Sequence, residues 1–284
     1  MYKALIIVIL SVCSIEGFAQ RNSRSLKDNK EGSFFVSGGY NRSVYSSTNV
    51  DLRGSDHTIT LEGVALVDNP EEVKFLNFFG SDAPQFSFQG GYFVADKWAV
   101  IADFHRYNTF FIDDQEVGIY GNVAPDAHPD FSGNINSSSM LINRDQIHLF
   151  QQNGMHLITL GVQRMDQLFK TRDKNVSIHS VLGGKLGPVL TEADYSFGNR
   201  QYESITSFTG WSATFAAGMR ITFFQRIYLL TRFSAGHTAQ NEIRLTNNGK
   251  YTAAQNPFYF AAELSAGVTF SLSSGSKCNT CPDW

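Results

Sequence analysis

Charged residues are scarce in this chain, and neither sign of charge dominates. Asp, Glu, Lys and Arg make up 17% of the 284 residues, and the formal net charge is -3. Proteins that bind nucleic acid usually carry a clear excess of Lys and Arg. We therefore expect no nucleic-acid partner.

Long apolar runs are also lacking beyond the first residues. Lys3, the apolar residues 4–12 and the small residue Ala19 follow one another as in a secretory signal peptide. We predict that residues 1–19 are a cleaved signal peptide and that residues 20–32 are a flexible lead-in. No later run approaches the roughly 20 apolar residues that a membrane-spanning helix needs.

Cysteine is nearly absent. Of the three cysteines, Cys13 lies in the predicted signal peptide, which leaves Cys278 and Cys281. We predict that residues 273–284 form a periplasmic tail in which these two thiols form a disulfide, with a redox-active pair as the alternative. Two thiols are too few for a structural zinc site. We predict no metal and no cofactor, and the tail is a candidate contact for a periplasmic partner.

Glycine and phenylalanine are abundant, with 24 residues of each. A chain rich in glycine and aromatic residues and poor in charge favours β-strands with one apolar face. Eight segments alternate between apolar and polar residues, as strands do. They are residues 34–45, 84–94, 98–112, 155–165, 175–190, 210–224, 227–240 and 258–272.

The two faces of these segments differ in a way that indicates a membrane barrel. In the sixth segment, Trp211, Phe215 and Met219 share one face. Ser212 and Arg220 lie on the other face, which has small residues and single charges instead of the dense Lys and Glu of a solvated surface. A transmembrane barrel places the apolar face outward against lipid and keeps its lumen polar. The alternative is a soluble sandwich or a lipocalin-like carrier with the apolar face inside.

The connections between the segments alternate in length. Short turns are predicted near residues 95, 171 and 225. Long connections are predicted at residues 46–83, 113–153, 193–206 and 243–255. Outer-membrane barrels have short periplasmic turns and longer extracellular loops. We therefore predict an all-β, antiparallel, up-and-down barrel of eight strands over residues 33–272, with both termini periplasmic and the longest extracellular loops at 46–83 and 113–153. Residues 57–67 also alternate and predict a strand inside the first long loop, so ten strands is the fallback.

Lys185 would face the lumen of such a barrel, because Leu182 and Leu186 occupy the opposite face of its strand. A buried charge needs a partner. An eight-stranded barrel is narrow enough for side chains to fill it, so we predict a luminal polar network that plugs the pore. A catalytic or ion-conducting cluster is the alternative. The predicted members of the network are Asp103, His105, His179, Lys185, Arg220, Arg232 and Glu263.

Several stretches together resemble one family. They are "GFAQ" at the predicted cleavage site, "GYNRSVYSSTNVDLRGSDHTITL", "PQFSFQGGYFVADKWAVIADFHRY" and the closing "ELSAGVTFSL". They resemble an uncharacterised family of outer-membrane β-barrel proteins from Bacteroidota. The resemblance implies an outer-membrane location, outer-membrane lipids as partners, and recognition of the last strand, through Phe270, by the barrel-insertion machinery. It implies no activity. The twelve residues after Leu272 depart from the usual barrel ending.

The functional role is open at this stage. A structural or interaction role through the long loops is favoured, and no catalytic residue is predicted. The alternatives are a lipid-modifying enzyme, a small-solute porin, and an accessory subunit of a secretion or assembly machine. "GHTAQNE" resembles the His-x-Ser region of barrel-embedded lipid A deacylases, but Ala239 stands where the serine is needed. "DAHPDF", with Asp126, His128 and Asp130, is read as a polar loop and not as a metal site.

Overall fold

The computed structural model describes residues 31–68, 85–128, 131–143, 147–198 and 200–271. The predicted signal peptide and the predicted tail with Cys278 and Cys281 lie outside these ranges. Among the described residues, no helix is long and apolar enough to cross a membrane.

Eight of the fourteen strands in the described ranges close into a ring. They are β1 (Ser33–Tyr45), β5 (Phe86–Ala95), β6 (Trp98–Phe111), β9 (Ile147–Lys170), β10 (Val176–Phe197), β11 (Arg200–Phe223), β12 (Ile227–Arg244) and β14 (Phe258–Ser271). Each pairs antiparallel with the next strand in this order. Pairing of β14 with β1 along their full lengths closes the ring. The predicted antiparallel up-and-down barrel of eight strands is confirmed.

Three tight turns mark one end of the barrel, which we call the turn end. They occupy residues 96–97, 171–175 and 224–226. Lys97, Lys174 and Phe224 have positive φ angles of 72°, 61° and 50° there. These left-handed conformations reverse the chain within a few residues, although non-glycine residues adopt them infrequently. Both ends of the ring sequence, at Ser33 and Ser271, also lie at the turn end.

The opposite end carries a folded cap, because the described parts of the long connections predicted at residues 46–83 and 113–153 contain strands. The remaining strands are β2 (Thr48–Arg53), β3 (His57–Val64), β4 (Leu66–Val67), β7 (Gln115–Val123), β8 (Gly133–Ile142) and β13 (Thr252–Gln255). Strand β13 pairs with β12, and β2, β3, β7 and β8 follow it in one sheet. The long ends of β9, β10 and β11 form the facing part of the cap. The strand predicted over residues 57–67 appears as β3 and β4.

The barrel wall is apolar on its outer face, and we call this surface the belt. Its side chains are exposed, as Leu160 at 66% and Phe233 at 64% illustrate, whereas their inward-facing neighbours are buried. The belt includes Phe34, Val36, Phe88, Trp98, Leu160, Leu182, Leu186, Trp211, Phe215, Met219, Phe233, Phe258, Phe260 and Leu264.

The cap has the reverse arrangement, with its apolar side chains inside. They pack between the β12–β13–β2–β3–β7–β8 sheet and the long ends of β9, β10 and β11. This cap core includes Val50, Leu52, Ile59, Leu61, Val117, Ile119, Leu149, Ala193, Tyr195, Phe197, Ile243 and Leu245. The apolar faces that pack together explain why these connections fold into strands instead of remaining loops.

Candidate functional site: the barrel interior

A cluster of five charged or ionisable side chains crosses the lumen of the barrel. Lys185 Nζ lies 2.7 Å from Asp103 Oδ2 and 2.6 Å from His105 Nε2. Arg232 donates two hydrogen bonds to Glu263 Oε2, at 2.7 and 3.1 Å. Its Nη1 also lies 3.5 Å from Asp103 Oδ2. All five residues are buried, the most exposed being Lys185 at 6%.

The strand register brings these side chains together. Asp103 and His105 are two residues apart on β6 and therefore share its inner face. Arg232 and Glu263 stand directly opposite each other on β12 and β14. Strands β6 and β12 face each other across the ring, since three strands separate them in either direction. The contact between Arg232 and Asp103 therefore bridges the full diameter of the lumen.

The hydrogen bonds assign the protonation of His105. Lys185 and Arg232 can only donate, and both approach His105 Nε2, at 2.6 and 3.3 Å. Nε2 is therefore the acceptor, and the ring proton is assigned to Nδ1, which lies 3.4 Å from the Tyr107 hydroxyl and 4.0 Å from Glu263 Oε2. With His105 neutral, two cations balance two carboxylates in this charged layer.

Two of the seven predicted network residues lie elsewhere. Arg220 is nearer the turn end, where its guanidinium donates to Thr269 Oγ1 at 2.5 Å and stacks 3.7 Å from the centre of the Tyr228 ring. His179 is buried directly opposite Arg220 in the register of β10 and β11. The alternation of residues indicates which side chains face the lumen, but it does not indicate at what height along the barrel axis they lie.

Apolar layers lie on both sides of the charged layer. Toward the turn end, the lumen holds Phe35, Phe93, Ala99, Ile101, Met165, Val181, Tyr228 and Leu230. Toward the cap, it holds Tyr107, Met155, Leu157, Val189, Tyr259 and Ala261. The cap core follows beyond them. Sequence reasoning missed these layers, because it assigned the apolar side chains of each segment to the outer face alone.

A second cluster of polar side chains connects the β3 side of the cap to the long end of β10. His57 Nδ1 lies 2.8 Å from Asp56 Oδ1, and His57 Nε2 lies 2.8 Å from the hydroxyl of Tyr195 on β10. The His57 ring stacks on Phe197, with the ring centres 4.3 Å apart. Burial raises the pKa of Tyr195 well above its ordinary value, so this hydroxyl keeps its proton. Sequence reasoning read His57 only as part of a strand.

The other residues considered in the sequence are placed apart from the charged layer. His237 lies on the outer face, with its ring centre 4.6 Å from that of Phe258. Thr238, its neighbour, is buried and donates to the Pro257 carbonyl. His128 packs against Phe131 and Phe197.

Asp126 is exposed, and Asp130 lies outside the described residues. Within the described ranges, no group of three or more His, Cys, Asp or Glu side chains is placed to hold a metal ion.

Comparison with known proteins gives matches among solved structures only. No family model and no curated protein matches the chain. Outer membrane protein AlkL, solved in lipid bilayers, is 13% identical with a TM-score of 0.43, and the match covers 91% of this chain and 99% of that one. OprG from Pseudomonas aeruginosa is 11% identical with a TM-score of 0.40, covering 86% and 98%. Ail of Yersinia pestis is 14% identical with a TM-score of 0.35, covering 84% and 99%. Similarity at this level carries no weight for activity.

Proposed function

We propose that this chain is an integral outer-membrane protein with a closed lumen and a structural or surface-interaction role. The belt supports the membrane location, because soluble proteins rarely expose contiguous apolar surface of this extent. On β11 the belt runs from Trp211 to Phe223. With the usual rise per residue and a strand tilt of 35–45°, that stretch spans about 30 Å, similar to the hydrocarbon core of a bilayer.

The filled lumen is the observation that carries the proposed role. The charged layer bridges the diameter between β6 and β12, and apolar layers lie against it on both sides. A solute would have to separate buried ion pairs and displace packed aromatic rings to pass. This supports a barrel that holds its cap outside the membrane over one that conducts solutes, and the cap is then the surface available to partners.

Two measurements test this proposal. The folded barrel should migrate differently on SDS gels before and after boiling, because a closed barrel resists SDS until it is heated. The same protein, reconstituted in planar bilayers, should give no stepwise conductance. A soluble protein without a heat-dependent shift would contradict the membrane location. Discrete conductance steps would contradict the closed lumen and favour the porin alternative.

Export through the predicted signal peptide is part of the same proposal. N-terminal sequencing of the mature protein from the outer-membrane fraction should begin at Gln20. A mature chain that still contains Lys3 would contradict cleavage. The resemblance to barrels of Bacteroidota and the non-enzymatic role stay predictions, as does a periplasmic partner for residues 273–284.

A further inference from the structure

The belt contains a groove that crosses the outer wall from β9 to β14. Its volume is about 680 Å³. Gly184, Ala213 and Ala235 are the small residues of the outer face along it, and larger side chains such as Leu160, Leu186 and Phe258 border it. Ligand sites typically have volumes of about 300–1,000 Å³ and mostly apolar linings with few polar groups.

The strand register explains why the wall is indented here. In one row across the strands, Gly184 stands beside Phe215, which stands beside Ala235. In the adjacent row nearer the cap, Leu186 stands beside Ala213, and Ala213 beside His237. Over β10, β11 and β12, small and large residues thus alternate within each row and are offset between the two rows. The small residues leave a depression that the large residues flank.

The small residue at position 184 is not required by close packing of the strands. A Cβ atom added to Gly184 would meet only the Thr214 carbonyl oxygen, at 4.0 Å. By contrast, a Cβ atom on Gly187 of the same strand would collide with the Ile158 carbonyl. The space in front of Gly184 is therefore open, and a larger side chain can fill it without moving the wall.

The groove has a polar side chain at the end nearer the cap. His237 lies in the outer face there, partly buried, and stacks against Phe258. The rest of the outer-face lining, from Leu160 to Phe260, is apolar. One polar group at one end of an apolar groove matches a molecule with a polar head and a hydrocarbon tail.

We infer that this groove binds one acyl chain of a phospholipid in the leaflet on the cap side, with the polar end of the lipid toward His237. The inference rests on the proposed membrane location, because the groove is continuous with the belt that hydrocarbon would cover. A flexible chain can follow the indentation between Leu186 and Phe258. A second barrel presents a convex wall, which would bridge the groove instead of filling it.

The test uses the full chain reconstituted in palmitoyl-oleoyl phosphatidylethanolamine vesicles and then transferred to a mild detergent for native mass spectrometry. The unmodified protein should retain one lipid per chain. Gly184→Leu should lower that occupancy at least tenfold, because its side chain fills the groove, and Ala213→Leu should lower it as well.

Gly90→Leu is the matched control. Gly90 lies on β5, away from the groove, and a Cβ atom there meets nothing within 4 Å, so occupancy should stay unchanged. Equal lipid occupancy in Gly184→Leu and the unmodified protein would overturn the inference. A lipid-free dimer of the unmodified protein would also overturn it.

An SDS gel of each sample before and after boiling distinguishes failure of the groove inference from failure of the proposed membrane location. A heat-dependent shift with unaltered lipid occupancy would overturn the groove inference alone. Absence of the shift in the unmodified protein would overturn the membrane location as well.

Discussion

The barrel wall and the cap are built from the same strands but with opposite polarity. On the barrel part of β10, Leu182 and Leu186 face outward and Lys185 faces inward. On the cap part, Tyr195 faces inward while Glu192 and Asp194 lie on the other, partly exposed face. The difference is that an apolar surface outside the barrel can meet lipid, whereas an apolar surface of the cap has only the interior to pack into. The outer face of β10 is therefore apolar in the barrel and polar in the cap, and its inner face changes in the opposite sense.

The largest effect is expected in the charged layer, where removal of one partner leaves charges uncompensated. Asp103→Leu deprives Lys185 and Arg232 of a shared carboxylate. It should lower the free energy of unfolding by about 3–5 kcal/mol, as other broken buried ion pairs do. Urea titration in lipid, followed by the gel shift, measures this. The control Asp166→Asn alters surface ion pairs with Arg164 and Lys97 and should leave the midpoint almost unchanged, because surface ion pairs contribute little to stability. Equal midpoints for the two variants would contradict a structural role for the charged layer.

The cap should respond to cavity formation independently of the barrel. Leu61 is fully buried in the cap core, and Leu61→Ala should destabilise the cap by about 2–5 kcal/mol. Limited proteolysis should then cut the cap faster while the heat-dependent gel shift persists. Leu141→Ala, at a position that is 50% exposed, should have little effect. Loss of the gel shift in Leu61→Ala would indicate that cap and barrel fold as one unit.

A charge introduced on the outer face should lower the free energy of unfolding strongly in the belt and only slightly in the cap. Leu182→Arg places a guanidinium against lipid near mid-belt, opposite Ala217, and should cost about 2–4 kcal/mol, the range for Arg near the middle of a bilayer. Tyr120→Arg places it on the exposed face of β7 and should cost almost nothing. Urea titration of both variants in vesicles gives the comparison. Similar costs at the two positions would show that the belt does not face lipid.

The smallest effect is expected at the hydrogen bond between Tyr195 and His57. Tyr195→Phe removes this one bond and keeps the aromatic packing, so the cap should lose about 1 kcal/mol. Hydrogen exchange of the β3 amides reports it, with Tyr120→Phe as the exposed control. Unchanged exchange in Tyr195→Phe would mean that packing on Phe197 holds the two parts of the cap without the bond.

The sequence predicted the barrel better than the cap, and irregular pairing explains where the prediction stopped. The predicted strands end at residues 190 and 240. The register shifts in the pairing lie between Val189 and Leu190 and between Gln240 and Ile243. The extra residues lie on β11 and β12, where each exchanges the two faces of the strand beyond it, whereas β10 keeps Lys185 and Tyr195 on one face. In the cap, apolar side chains face inward and polar ones outward, which is the reverse of the barrel. A pattern of apolar outer faces therefore predicts loops in the cap, where the structure has strands.

Within the barrel, the alternation was sufficient to place Lys185 and Asp103 on the inner face. Their contact could not be predicted, because it depends on the stagger between β6 and β10, two strands apart in the ring. The same stagger places Arg220 in a different layer, beside Tyr228. Height along the axis is a property of the closed ring and is not contained in the pattern of any one strand.

Strands β9, β10, β11 and β12 run without interruption from the turn end into the cap. A pulling force applied to the cap along the barrel axis would therefore load the hydrogen bonds between these strands in shear, many at once, and would not peel them apart singly. No flexible joint between cap and barrel absorbs the load along these four strands. A molecule attached to the cap would be held at a fixed height and orientation above the barrel.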